Sequence, residues 1–288
     1  MGPATIPVMM RLVAFTVDVD RDVNLPTPGK RQACSKCHDG DREEVRFSSS
    51  ARGLRLIVDL LEEVGIEATF FLEGDTLLHL AREMDVRELL SRHEVACHGV
   101  CHEDITGGST GAPLTGPEIS EMLDRSRDIL RQVFARDPVG FRAPYQHIDQ
   151  RTLFLLQKKG FSYDSSVTRA IDEEDDSIRP WKAAGDLLEI PVASGRDQAG
   201  RRIVSYLWPM HEGKRMPDDY RHLAASVHEG ALVLATHSWH VVETYNRGLL
   251  GDTSIEVSLS NLRRVLEGAR EEGMEFLTLK EIAEAWQA

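Results

Sequence analysis

Leu12-Val13-Ala14-Phe15-Thr16-Val17-Asp18-Val19-Asp20 is an apolar, β-branched run that ends in two carboxylates one residue apart. A nearly continuous hydrophobic stretch of this kind suits a strand of a parallel sheet covered on both faces, and Val8-Met9-Met10 extends it backwards. Outward from this run, strand and helix patterns alternate. Helical spacing of Leu54, Ile57, Val58, Leu60, Leu61 and Val64 predicts a helix up to Gly65, with Ser50 placed to cap it. Ala68–Leu72 reads as a strand, 75–92 as a helix, Glu94–His98 as a strand and 118–136 as a helix. Strands follow at 138–142, 161–163, 187–192, 231–236 and 275–277, with helices at 149–159, 217–229, 255–272 and 280–285. Seven or so strand–helix units in roughly 270 residues predict an α/β fold closed into a barrel, in a single domain covering 1–288.

The chain has 288 residues, of which 47 are acidic and 34 basic, for a net charge of −13. That balance repels phosphate backbones and anionic membranes, so nucleic acid is not expected as a partner. No apolar run reaches the roughly 20 residues of a membrane span, and Met1–Met10 lacks the pattern of a secretory signal. A cytoplasmic enzyme is the expectation. Four cysteines are too few for a disulfide scaffold.

The polar residues that follow the strands carry the chemistry. In α/β barrels, groups at the carboxyl ends of strands converge on one face. Here they are Asp18 and Asp20, His98 and His102, Arg142, Asp164, and His237 with His240. Alternation along a strand points Asp18 and Asp20 to the same side, where two carboxylates repel unless a cation or an arginine neutralises one. Asp is also common as a cap at strand ends, so this pair alone leaves both readings open. His98 and His102 with Asp20 would make a metal site that keeps a position open for water.

The ordered segments Thr16-Val17-Asp18-Val19-Asp20, His98-Gly99-Val100-Cys101-His102, Phe141-Arg142-Ala143-Pro144-Tyr145, Asp164-Ser165-Ser166 and Leu234-Ala235-Thr236-His237 resemble the polysaccharide deacetylase (NodB-homology) family. The resemblance extends from about Val8 to Trp286 and implies a distorted (β/α)7 barrel. It implies metal-dependent hydrolysis of an N-acyl, usually N-acetyl, amide of a carbohydrate or other small molecule. By the same resemblance, Asp20, His98 and His102 hold a divalent metal, usually zinc, with cobalt, nickel, iron or manganese as alternatives. Asp18 is then the general base, paired with and oriented by Arg142. The backbone N–H of Tyr145 helps form the oxyanion hole, and His237 is the acid that protonates the leaving amine. Asp164 is the candidate carboxylate orienting His237.

The family's first motif commonly has adjacent aspartates, whereas Val19 separates Asp18 from Asp20 here. That form resembles the branch of peptidoglycan deacetylase-like, cyclic-imide hydrolase and allantoinase-like proteins, so ring opening of a cyclic imide or ureide is the alternative reaction. Residues 21–50 read as a long loop insert carrying Cys34-Ser35-Lys36-Cys37-His38, outside the family pattern. It could supply zinc thiolates with Cys97 or Cys101, form a redox disulfide, or be an ordinary polar loop. A non-catalytic metal-binding or redox-sensing protein is the rival of another class. In the segment after Thr236, His240 is expected to be a loop residue and Trp239 partly buried, with a stacking wall for ligand as the alternative. Asp172–Asp176 reads as a solvated acidic loop. Assembly into a homo-oligomer is left open.

Overall fold

Strand β1 (Arg11–Val19) is buried from Leu12 onward and pairs in parallel on both sides, as its uninterrupted apolar sequence requires. The computed structural model describes residues 10–37, 44–171 and 177–287; Val8, Met9, His38 and the acidic run 172–176 lie outside the described residues. From β1 the sheet continues through β2 (Thr69–Leu72), β3 (Glu94–Cys97), β4 (Gly140–Phe141) and β5 (Tyr163–Asp164), all in parallel. Next come β6 (Leu187–Glu189), parallel to β5, and β7 (Val192–Arg196), parallel to β8 (Glu229–His237), which returns to β1.

β6 and β7 are two halves of one stave. Between them stand Ile190 and Pro191, and Pro191 has no N–H to give to a ladder. The chain changes partner there: Ile190 N–H reaches Asp164, while Val192 N–H reaches Val167. The stave thereby bridges β5 and β8 and closes a distorted (β/α) barrel of seven staves, as the sequence predicts.

The period of two along β1 divides the core. Leu12 and Ala14 join the barrel interior with Phe71, Ala96, Tyr163, Val192 and Val233. Val13, Phe15, Val17 and Val19 turn outward against Leu54, Ile57 and Leu61 of helix α1 (Ser48–Val64). Leu279, Ile282 and Ala283 of the C-terminal helix Leu279–Gln287 belong to the interior cluster, so this helix plugs the barrel at the end from which β1 starts.

Around the barrel lie helices α2 (Gly74–Glu83), α3 (Gly116–Phe134), α4 (Gln150–Lys158), α5 (Pro217–Ala225) and α6 (Asp252–Glu271). The helix expected over 75–92 breaks after Glu83, because Asp85 caps a separate turn at Val86–Leu89. The expected capping role of Ser50 also fails. Helix α1 starts two residues earlier, and the Asp22 carboxylate accepts from the backbone N–H groups of Ser49 and Ser50 at 3.0 and 2.7 Å. Asp22 thus ties the insert after β1 to α1. The insert is itself ordered in part, since Asn24–Leu25 pairs antiparallel with Cys34–Ser35. Sequence reading also misses the hairpin of β7 with Arg202–Val204, whose strand is short and half polar.

Candidate active site

The carboxyl ends of the strands meet on the face opposite the plug. Asp18 and His237 are register partners in β1 and β8. Arg142, which follows β4, has no exposed surface and uses its whole fork. Its Nη1 donates to Asp18 Oδ1 at 2.8 Å and Thr16 Oγ1 at 2.9 Å, its Nε to Ser165 O at 2.9 Å, and its Nη2 to Ser165 Oγ at 3.0 Å. The guanidinium lies 4.1 Å from the centre of the Phe71 ring. A buried guanidinium so fully bonded fixes Asp18 rigidly. The Tyr206 hydroxyl donates to the other oxygen, Asp18 Oδ2.

Asp20 continues the alternation and is fully buried. Its carboxylate accepts from Trp239 Nε1 at 3.0 Å and Asn24 Nδ2 at 2.6 Å, and Oδ2 lies 3.2 Å from His102 Nε2. Ligand atoms of Asp20, His98 and His102 all lie within 4.8 Å of one another, the one such group of three or more His, Cys, Asp or Glu found among the described residues. His98 Nδ1 is 2.8 Å from Arg142 O. Because a carbonyl can only accept, Nδ1 carries the proton and the Nε2 lone pair is left for a metal. Burial pushes both imidazoles down to about 4, so they are neutral, as ligands must be.

Charge is unbalanced here in one place. Three buried carboxylates stand close together, and Arg142 binds Asp18 while Arg21 binds Glu73. Among the described residues Asp20 has no guanidinium within ion-pair distance; burial first, then Glu73 and Asp18, hold its carboxyl well above the usual range. A cation between Asp20 and two neutral imidazoles would relieve that cost. The donor set of one carboxylate and two imidazoles fits a zinc-type ion.

His237 Nε2 lies 3.9 Å from Asp20 Oδ2, and its Nδ1 is buried without a partner. The expected contact with Asp164 is not made. Asp164 instead accepts from Ser166 Oγ and N, and stands beside Glu189, its register partner on β6. Two buried carboxyls that close cannot both ionise, so Glu189 is pushed well above its ordinary value, by burial and then by Asp164. Their pairing spends Asp164 on the β5–β6 junction, which explains why a strand-end position alone misassigned it. Tyr145 and Gln146 both hold left-handed backbones, φ 58° and 57°, a strain of about 1–2 kcal/mol each that tends to collect at functional sites. The Tyr145 ring packs edge-on against His102, with centroids 4.5 Å apart.

A family model for polysaccharide deacetylase matches residues 49–163, which contain the His98, His102, Arg142 and Tyr145 positions. Over those residues the chain is similar to the polysaccharide deacetylase family. It is 31% identical over 169 residues to a peptidoglycan deacetylase-like protein of Gibberella zeae, covering 58% of this chain and 47% of that protein. The chain spans less than half the length of the curated relatives it matches. In fold it is similar to a crystal structure described as a polysaccharide deacetylase of Mycobacterium smegmatis, with TM-score 0.64 and 23% identity over 100% of this chain and 94% of that one. It is also similar to the structure of Puue allantoinase, with TM-score 0.62 and 17% identity over 97% and 91% of the two chains.

A cleft of about 1190 Å³ opens beside the site, lined by Asp18, His98, His102, Tyr145, Tyr206, Trp208 and His237 among others. Of the buried side-chain polar atoms without a partner among the described residues, His102 Nδ1, Tyr145 Oη, Gln146 Nε2 and His237 Nδ1 belong to residues lining it. Tyr206 and Trp208 were not foreseen. They lie in a stretch with no strand-end signature, and only the return of the chain past β7 brings them over His237, with ring centroids 5.3 Å away in each case.

Trp239 is fully buried, where partial burial was expected, so it makes no wall for a ligand, and its N–H serves Asp20. His240 is not a loop residue free in solvent. It is fully buried, 3.1 Å from Glu212 Oε1 and stacked between His211 and Trp239. The cysteines do not gather. Cys97 is buried on β3, Cys101 donates to Asp75 at 3.0 Å, and Cys34 and Cys37 sit in the insert, all four as free thiols. No described residue joins them in a metal-binding group; His38 lies outside the described residues. No described helix is long and apolar enough to cross a membrane.

Proposed function

We propose that this chain is a metal-dependent hydrolase of carbon–nitrogen amide bonds that deacetylates an N-acetylated carbohydrate or a related small N-acyl molecule. The observation that carries the reading is Asp20, a buried carboxylate without a guanidinium partner beside two neutral imidazoles. Asp20, His98 and His102 would hold the divalent ion. That ion would acidify a water and polarise the acyl carbonyl.

The chain's own residues do the rest. Asp18, clamped by Arg142 and Tyr206, takes a proton from the attacking water. The backbone N–H of Tyr145 donates to the acyl oxygen as negative charge develops there, a contribution typically worth about 3 kcal/mol. Burial and the neighbouring imidazoles hold His237 well below its ordinary value, so it is neutral at rest. It therefore acts as the acid only after receiving a proton, and Asp20 Oδ2 at 3.9 Å favours the charged form once it does. The protonated imidazole then passes its proton to the leaving amine.

The spacing of Asp18 and Asp20, together with the allantoinase-like fold, supports a second reading in which the same groups open a cyclic imide or ureide. A panel of N-acetylated sugars, N-acetylated oligosaccharides and cyclic imides, assayed with the metal-loaded protein, tests both. Release of acetate from the sugars supports the first reading. Ring opening without acetate release replaces it by the second, and no turnover of any member removes both.

A further inference from the structure

Part of the cleft lining is basic in a protein that is otherwise strongly acidic. Arg201, Arg202, Lys214 and Arg215 all line the cleft, while Asp18 is the one acidic residue in its lining and is already paired with Arg142. The four cations come from two segments far from the catalytic motifs: the hairpin after β7, and the turn after Trp208–His211.

These cations are not cancelled locally. Asp197 is the carboxylate that meets them, and it meets two at once, Arg201 Nε at 2.8 Å and Arg215 Nη1 at 2.6 Å through the same Oδ2. Arg215 also donates to Arg202 O at 2.9 Å, so it is held in place rather than free to fold away. Arg202 and Lys214 form no ion pair among the described residues. Four positive charges against the one of Asp197 leave a local excess of three, in a chain whose net charge is −13. Such a focus at the mouth of a cleft attracts anions and repels cations.

The cleft also has room beyond the amide. Its volume of about 1190 Å³ exceeds the roughly 300–1,000 Å³ common for small-molecule sites. Tyr206 and Trp208 line it near His237 and offer flat apolar faces to a sugar ring, and the four cations line the same cleft.

We infer that the substrate is an N-acyl carbohydrate bearing a negatively charged group, a carboxylate or a phosphate, which docks on Arg202 and Lys214 while the amide lies at the strand ends. This inference rests on the hydrolase reading above and narrows it. A neutral sugar would leave the basic wall unused, and an aminated one would be repelled by it.

The test compares N-acetylglucosamine with N-acetylglucosamine 6-phosphate and N-acetylmuramic acid, so that phosphate and carboxylate form separate arms. The expected result is a kcat/KM for at least one anionic sugar about tenfold or more above that of the neutral sugar, as one charge-assisted contact supplies. That ratio falls toward one in R202Q/K214Q, and it also falls at high ionic strength. A ratio near one in the wild-type protein, or a ratio that the double variant leaves intact, overturns the inference. Titrating the same three sugars by quenching of tryptophan fluorescence reads binding without turnover. Anion-selective binding with no hydrolysis keeps the basic wall and removes the hydrolase reading; hydrolysis with no anion preference does the reverse.

Discussion

Asp18 and His237 stand opposite each other at the carboxyl ends of two adjacent parallel strands, and both line the same cleft. In a parallel ladder, register partners point to the same side, so a carboxylate and an imidazole flank one space. D18N keeps the shape and the Arg142 contact but cannot take a proton. It should lower kcat by about 10²–10⁴-fold, and H237A by a similar factor, with bound metal retained in both. Steady-state kinetics beside elemental analysis checks this. Retained turnover in D18N would mean that another group takes the proton.

Purified protein should contain about one divalent ion per chain, as three protein ligands with an open position require. D20A and H98A should each lose it, because two remaining donors hold an ion weakly. Elemental analysis after dialysis against a chelator reads the result. Full metal content in both variants would place the ion elsewhere and dissolve the proposed site.

On the proposed reading, Trp239 would act on an ion only through Asp20. Its indole N–H orients the carboxylate at 3.0 Å from within the core. W239F keeps most of the packing and removes that donor, so metal affinity should drop about 10–100-fold, the usual cost of losing such a support. Competition with a chromogenic chelator measures it. An unchanged affinity would assign Trp239 to packing alone.

The approach of α1 to the site depends on one missing side chain. An added Cβ at Gly53 would stand 1.9 Å from Ser238 O, in the turn that follows His237. G53A must therefore push helix and turn apart, at a cost of about 1–3 kcal/mol typical of overpacking. A lowered melting temperature with lowered kcat is expected. A variant as stable and active as the parent would mean that the two elements separate freely.

The barrel was legible because each stave is either a long apolar run or a short one followed by a polar signature, and β1 carries both. The closure was not legible as such. Leu187–Val192 reads as one strand, and only Pro191, by denying a ladder hydrogen bond, makes it two halves serving different neighbours. Among candidate site residues, period two fixes the side of those at strand ends: Arg142 meets Asp18, and Asp20 lies with His98 and His102. Asp164 obeyed the same rule, yet it bonds sideways to Ser166 and stands beside Glu189, its register partner on the neighbouring strand. Tyr206, Trp208 and Glu212 carry no periodic signal at all. Their positions follow from the return path of the chain, which a single sequence does not encode locally.

His93 predicts how the fold responds to acid. It sits away from the candidate metal ligands, at the end of the barrel where β3 begins, and its Nδ1 accepts the Ala68 N–H at 3.2 Å, which only an unprotonated nitrogen can do. Burial pulls the imidazole from about 6.5 down to about 4, and the charges of Arg92 and Arg136 push the same way. Between those two values the unfolded chain binds a proton that the folded chain refuses. Stability therefore rises with pH across this window and is lost as pH falls from about 6.5 toward about 4. The contribution is on the order of 2 kcal/mol once residual solvent screening is allowed for. His98 and His102 shift in the same direction and steepen the slope. H93Q retains a hydrogen-bonding side chain without a titrating group. It should melt lower than the parent at pH 7 and converge with it as the pH approaches 4.5. A gap between the two melting temperatures that stays constant from pH 7 to 4.5 would show that His93 titrates alike in both states, and that the buried bond to Ala68 exerts no hold on its proton.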